Sequence, residues 1–238
     1  MIDPAIATTE NEKFIAHHFN LTLERMKSEM VDSLPACDNP SGMAAANAQF
    51  RFRLVTQCYL RRLHYLARKF SEALNCEDVL MSLIMARTLL ETQAHLHHLL
   101  FSLIEALEKK NFGKAHKFLT KHTLGRKDGH AAHTDIKPVH IAESLKTFDK
   151  TYEGNSNDHA YYSEYLHPNS SGNVQLFSDY DEKTKHFVLF DEPKKQFSRG
   201  FTTACSFCSI GEDLEKFSRI EDLIDKHWQP PETPQELH

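Results

Sequence analysis

Residues 77 to 109 constrain this chain more than any other stretch. Projected at about 100° per residue, Met81, Met85, Leu89, Leu96, Leu99, Leu100, Leu103 and Leu107 cover one broad side of a helix. Leu80, Leu83, Ile84, Arg87, Glu91, Ala94, His98 and Phe101 form a stripe on the opposite side. A helix that is apolar nearly all round belongs in the middle of a bundle. The pattern predicts a central helix from Glu77 to Lys109, capped by Asn75, with Arg87, Glu91 and His98 as polar groups inside the core. Burying charge is costly unless the charge is paired and hydrogen-bonded. Arg87 and Glu91 stand four residues apart and can pair with each other. A further partner from another helix is expected, either in a structural network that fixes helix register or in the wall of an active or ligand site. Glu91, His95 and His98 also share one side of this helix, which makes them an alternative metal-ligating set that His167 would complete.

The other helices follow from caps and periodicity. Thr9 followed by Glu12 is a capping-box pattern, and Ile15, Phe19, Thr22, Met26 and Met30 then repeat at helical spacing up to Pro35. Ser41 is placed to cap a long helix with the apolar stripe Phe52, Val55, Tyr59, Leu63, Leu66 and Phe70. Arg51, Arg61, Arg62, Arg68 and Lys69 read as its solvated face. Pro138 suits the first turn of a helix running through Ile141, Leu145, Phe148 and Tyr152. A shorter helix starts at Asn155 or Ser156 and ends by His167, because a residue before proline is pushed out of the α region. Val174 to Phe177 and His186 to Phe190 alternate like a small β-hairpin, which Pro193 ends. A last long helix then carries Phe197, Phe201, Cys205, Cys208, Phe217, Ile220 and Ile224 to the core. The expected fold is all-α: one helical bundle over residues 1–228, with the hairpin inserted before the last helix and a disordered tail over 229–238.

Composition narrows the function classes. The 238 residues are 40% hydrophobic, enough for a proper core. A formal net charge of −5 sets up no global field toward nucleic acid, so partners must be argued locally. The local argument rests on Lys109, Lys110, Lys114, Lys117, Lys121, Arg126 and Lys127, a basic run without an acidic residue beside a loop rich in histidine and glycine. Such a run is a candidate contact for an RNA backbone. No apolar run reaches the roughly 18 residues of a membrane span. The N-terminal MIDPAIATTENEKF lacks the regions of a signal peptide, which points to the cytosol. The five cysteines have no regular spacing, and the lone C-x-x-C at Cys205 and Cys208 falls inside a helix. They are expected as reduced, buried small residues.

Sixteen histidines are many for this length and gather at His95, His97 and His98, through His122 to His140, and at isolated positions such as His167. They suit metal binding, proton transfer or phosphate contact. The stretch YYSEYLHPNSSG concentrates Tyr161, Tyr162, Glu164, Tyr165 and His167 before a proline. At least one tyrosine can pack inward with its hydroxyl on a polar partner. Glu164 and His167 can face the same way, with His167 at a helix C-terminus whose dipole favours imidazolium.

The helix reading R-T-L-L-E, the later Y-x-x-x-x-H-P element and the hairpin before the final helix together resemble a group of bacterial all-helical proteins. That group is distantly similar to the HEPN (higher eukaryote and prokaryote nucleotide-binding) bundles, and the resemblance covers roughly Leu74 to Trp228. It implies an RNA-directed protein of a bacterial defence or toxin–antitoxin system: a metal-independent ribonuclease or an RNA-binding component without a cofactor. It implies a homodimer and a partner protein from the same system. HEPN ribonucleases place an arginine a few residues before a histidine. His167 matches the histidine, whereas Ala160, Tyr161 and Tyr162 stand where the arginine would lie, so Arg87 is expected to supply the guanidinium. The candidate catalytic set is Arg87, Glu91, Tyr162, Glu164 and His167. Two further readings remain open: a non-catalytic regulator with a structural Arg-Glu-His network, and a metal-dependent helical enzyme.

Overall fold

The computed structural model describes residues 1–35, 45–124, 137–167, 174–191, 193 and 198–228. Ser41, Arg126, Lys127, Phe197 and the expected tail 229–238 lie outside these residues. After a 3₁₀ turn at Pro4–Ile6 come α1 (Glu10–Ser28), α2 (Ala45–Asn75), α3 (Val79–Glu108), α4 (Phe112–Leu124), α5 (Ile141–Asp149) and α6 (Asn155–Leu166). The hairpin β1 (Ser178–Asp181) and β2 (His186–Leu189) precedes α7 (Ser198–Cys208) and α8 (Ile210–His227). The chain is all-α with one small hairpin, as its periodicity predicts.

α3 is the axis of the bundle, touched by α2, α4, α5, α6, α7 and α8. Leu89, Leu96, Leu99, Leu100, Leu103 and Leu107 are all buried there. Its N-terminal end is more open than expected, with Met81 43% and Leu80 37% exposed. The cap differs as well. Asp78 accepts the Met81 N–H at 3.0 Å. Asn75 is the last residue of α2, and its amide holds the N-terminal segment through the Asp3 N–H and the Met1 carbonyl, both at 2.9 Å. The side chain is thereby turned to the N-terminal segment and away from the start of the next helix.

α1 begins as predicted. The Thr9 hydroxyl accepts the Glu12 N–H, and the Glu12 carboxylate accepts the Thr8 and Thr9 N–H groups. The Thr8 hydroxyl, which donates to the same carboxylate at 2.7 Å, and then these backbone bonds hold the Glu12 carboxyl below the usual carboxylate range. Thr9→Ala is expected to cost about 1 kcal/mol, readable as a lowered urea midpoint with an unchanged m-value.

On α2 the stripe Phe52, Val55, Leu63, Leu66 and Phe70 is buried. Arg51 departs from the solvated face assigned to it: it is buried, donates to Thr120 Oγ1 and lies 3.1 Å from His116 Nδ1. α4 covers that position, and its hydroxyl and imidazole offset the cost of enclosing a guanidinium. α5 starts at Ile141, later than Pro138 suggests, because His140 Nδ1 accepts the Ala142 N–H and serves as the cap.

The hairpin also sits later than the alternation suggests. Asp181 Oδ1 accepts the Lys183 N–H at 2.8 Å and Oδ2 accepts the Thr184 hydroxyl at 2.9 Å. This Asx-type turn fixes the register Asp181↔His186 and Ser178↔Leu189. Strand β1 is therefore counted back from the turn.

The last helix is two helices. At the junction the Ser206 carbonyl accepts from Ser209 Oγ at 2.8 Å and from Gln93 Nε2 of α3, also at 2.8 Å. Serine side chains compete for the backbone and end a helix. Gln93 adds a second bond, to Ser209 Oγ, at 2.9 Å. Cys205 is exposed and Cys208 half-buried, so the cysteine pair does not fill the core as expected. Burial pushes the Cys208 thiol up to about 11, and it is inert at neutral pH.

Candidate functional site

Arg87 and Glu91 pair as their spacing predicts, Nε to Oε1 at 3.0 Å, but outside the core: their side chains are 33% and 31% exposed. The third member is His159 of α6, whose Nε2 lies 2.8 Å from the same Glu91 oxygen. The His159 hydrogen bond first, and that of Arg87 after it, hold the Glu91 carboxyl below its usual range against the opposing pull of burial. A single carboxylate oxygen thus joins α3 to α6 and fixes a guanidinium beside an imidazole.

His167 is exposed and caps α6, its backbone N–H donating to the Ser163 carbonyl at 3.1 Å. It lies eight residues beyond His159, which is about 12 Å along the helix and about 80° round it. The imidazole that meets Glu91 is therefore His159. Glu164 is exposed on the same helix. Tyr162 is buried and its hydroxyl bonds Thr203 Oγ1 of α7, so it is the inward tyrosine of the YYSEYLHP element. Tyr161 and Tyr165 pack ring against ring, tilted, with centroids 4.5 Å apart on the flank. His159 precedes Tyr162 by three residues and shares its inward face, the one signal in the sequence that marks it.

The basic residues form a partly compensated strip. Lys109 pairs with Glu105 at 2.7 Å, and Lys114 reaches the same carboxylate at 3.8 Å. Lys110 and Lys117 are exposed and Lys121 is half-buried. Lys109 is 22 residues beyond Arg87, about 33 Å along the axis, so that end of the strip is remote from the Arg87 pair, whereas α4 brings Lys121 back beside His98.

The α3 histidines go to separate partners. His95 Nδ1 bonds the Ser144 hydroxyl at 2.8 Å, and His98 is buried with Nδ1 3.5 Å from His122 Nε2. The Tyr59 hydroxyl meets the other nitrogen of His122 at 2.9 Å. Burial first, with the neighbouring His98 and His95 adding to it, pushes the His122 imidazole down to about 3. Glu91 is committed to Arg87 and His159, so the Glu91, His95 and His98 set does not assemble. Among the described residues, no three His, Cys, Asp or Glu side chains are grouped to hold a metal ion.

The sequence marks His97 only as one of a histidine group, yet it is the most completely enclosed histidine of α3. Its Nδ1 is 2.9 Å from Asp213 Oδ1 of α8, and its Nε2 is 3.2 Å from Thr151 Oγ1 after α5. Lys216 Nζ also donates to Asp213 Oδ1, at 2.6 Å. Among the described residues, no helix is long and apolar enough to cross a membrane. No family model matches the chain, and no curated protein or solved structure matches it.

Proposed function

We propose that this protein is an RNA-directed helical bundle of the HEPN type, acting as a metal-independent ribonuclease through Arg87, Glu91 and His159. One observation carries the reading: a single Glu91 oxygen holds both Arg87 Nε and His159 Nε2, with the Arg87 and Glu91 side chains 33% and 31% exposed and that of His159 16% exposed. Glu91 accepting the Nε2–H leaves the lone pair on His159 Nδ1. That nitrogen takes the proton of a ribose 2′-hydroxyl as the oxygen attacks the adjacent phosphorus, and the departing 5′-oxygen takes a proton from water. Arg87 spends only Nε on Glu91. Its two terminal nitrogens face the charge that develops on the phosphate. The lysines from 109 to 121 contact the strand beyond the scissile bond, Lys109 about 33 Å along α3 from Arg87.

The test is labelled single-stranded RNA incubated in EDTA with the full chain. His159→Ala and Arg87→Ala are each expected to lower cleavage by at least about a hundredfold. His167→Ala is expected to leave it near wild type. No cleavage by the wild-type chain, or equal cleavage by His159→Ala, overturns the proposal.

A second reading has its own support: the same carboxylate bridges α3 and α6 and is a clamp in a non-catalytic regulator. In that case Glu91→Gln lowers the melting temperature while RNA stays intact with every variant.

A further inference from the structure

We propose that Thr151, His97 and Asp213 form a second catalytic site, a hydroxyl–imidazole–carboxylate triad for acyl transfer that takes a small neutral ester. It shares no residue with Arg87, Glu91 and His159. His97 is six residues beyond Glu91, which turns it about 120° away round α3.

Each link has the atom pairing that the chemistry requires. Asp213 Oδ1 meets His97 Nδ1 at 2.9 Å, which fixes the proton on that nitrogen and leaves the Nε2 lone pair for Thr151 Oγ1, 3.2 Å away. His97 and Asp213 are 1% and 0% exposed, whereas Thr151 is exposed. The base is thus shielded from water and the nucleophile is open to substrate. The imidazole is held by rings: Phe148 at 5.1 Å, Tyr152 at 5.6 Å and Phe101 stacked at 6.3 Å. Asp213 Oδ2 is buried without a partner among the described residues.

A cleft of about 390 Å³ opens on this triad, walled by His97, Thr151, Phe101, Ile104, Lys216 and Arg219. Its volume suits a small molecule. Phe101 and Ile104 offer an apolar wall for the acyl group. Arg219 is tied to Glu108, while Lys216 gives one N–H to Asp213 and keeps two for an oxyanion.

The steps balance without an oxidant or reductant. The Thr151 hydroxyl proton passes to His97 Nε2 as Oγ1 bonds to the ester carbonyl carbon. The tetrahedral oxyanion faces the Lys216 ammonium. The carbon–oxygen bond to the alcohol breaks, and the leaving oxygen takes the proton from His97. Water then attacks the acyl-threonine with His97 as base, and the proton returns to Thr151.

The full chain is mixed with 4-nitrophenyl acetate, nitrophenolate release is followed, and the quenched protein is mapped by peptide mass spectrometry. The expected result is an initial burst with an acetyl group on Thr151. Thr151→Val, a near-isosteric change at an exposed position, abolishes both, and Thr151→Ser restores both. Release from wild type exceeds that from Thr151→Val by at least about a hundredfold. An unmodified Thr151, acetylation of Lys216 in its place, or undiminished release by Thr151→Val overturns the proposal.

Discussion

Asp213→Ala is expected to lower the free energy of unfolding by about 1.5–3 kcal/mol, the range for losing a hydrogen bond to a charged group and leaving a buried N–H unsatisfied. Asp213 is fully buried and holds two groups, His97 Nδ1 at 2.9 Å and Lys216 Nζ at 2.6 Å. Without the carboxylate, the imidazole N–H stays in the core with no acceptor, and the ammonium loses its nearest counter-charge. Replacing both members with apolar residues, His97→Phe with Asp213→Leu, is expected to recover most of the loss, since an apolar pair of similar volume carries no desolvation penalty. Urea unfolding of the two single variants and the double variant closes a thermodynamic cycle. A loss below about 1 kcal/mol for Asp213→Ala would place the pair with exposed bridges of little worth and remove it as an organiser of the core.

Acid is expected to destabilise the protein well before its carboxylates titrate. The folded His122 imidazole is held neutral down to about 3 by burial and by its histidine neighbours. In the unfolded chain it takes up a proton near 6.5. Below that pH the unfolded state binds a proton that the folded state refuses, so stability is full above about 6.5 and falls as the pH drops. One such group gives a slope of about 1.4 kcal/mol per pH unit, or roughly 2–3 kcal/mol by pH 4.5. Burial lowers His98 as well, against the opposing pull of Glu143, and the two effects run in the same direction. Glu91, whose carboxyl is held low, adds its loss only at lower pH, in the carboxylate range. The measurement is the urea midpoint from pH 7 to pH 5, with His122→Phe flattening the slope by about one proton. An unchanged midpoint across that interval would show that the cluster opens freely to water.

The parts of the fold that were legible are those governed by one helix at a time. The α3 pattern, the Thr9 capping box and the Pro168 stop each follow from local periodicity or local sterics. What was not legible depends on what a neighbouring element brings. Asn75 has the chemistry of a cap but is captured by the N-terminal segment, so Asp78 takes its place. Arg51 looks like a solvated charge until α4 lays His116 and Thr120 over it. The Arg87–Glu91 pair was readable from its spacing, whereas its partner was not. The proline drew attention to His167, yet the helix turns that residue away and brings His159 to Glu91. His97 stands out in the sequence only as one of the α3 histidines, because its acid lies on α8 and its hydroxyl lies between α5 and α6.

The contacts that join α3 to α8 have a consequence for how the bundle holds its alignment. Gln93 meets Ser209 and His97 meets Asp213, each pair 116 residues apart and each one helical turn from the other. Leucine-rich faces repeat often enough that one helix sliding along another by a turn, about 5.4 Å, finds comparable grease to rest on. These two polar rungs do not repeat. A slip in either direction unseats both at once, so α8 has a single seat along α3, and the ends of the bundle inherit their alignment from two hydrogen-bonded steps near its middle.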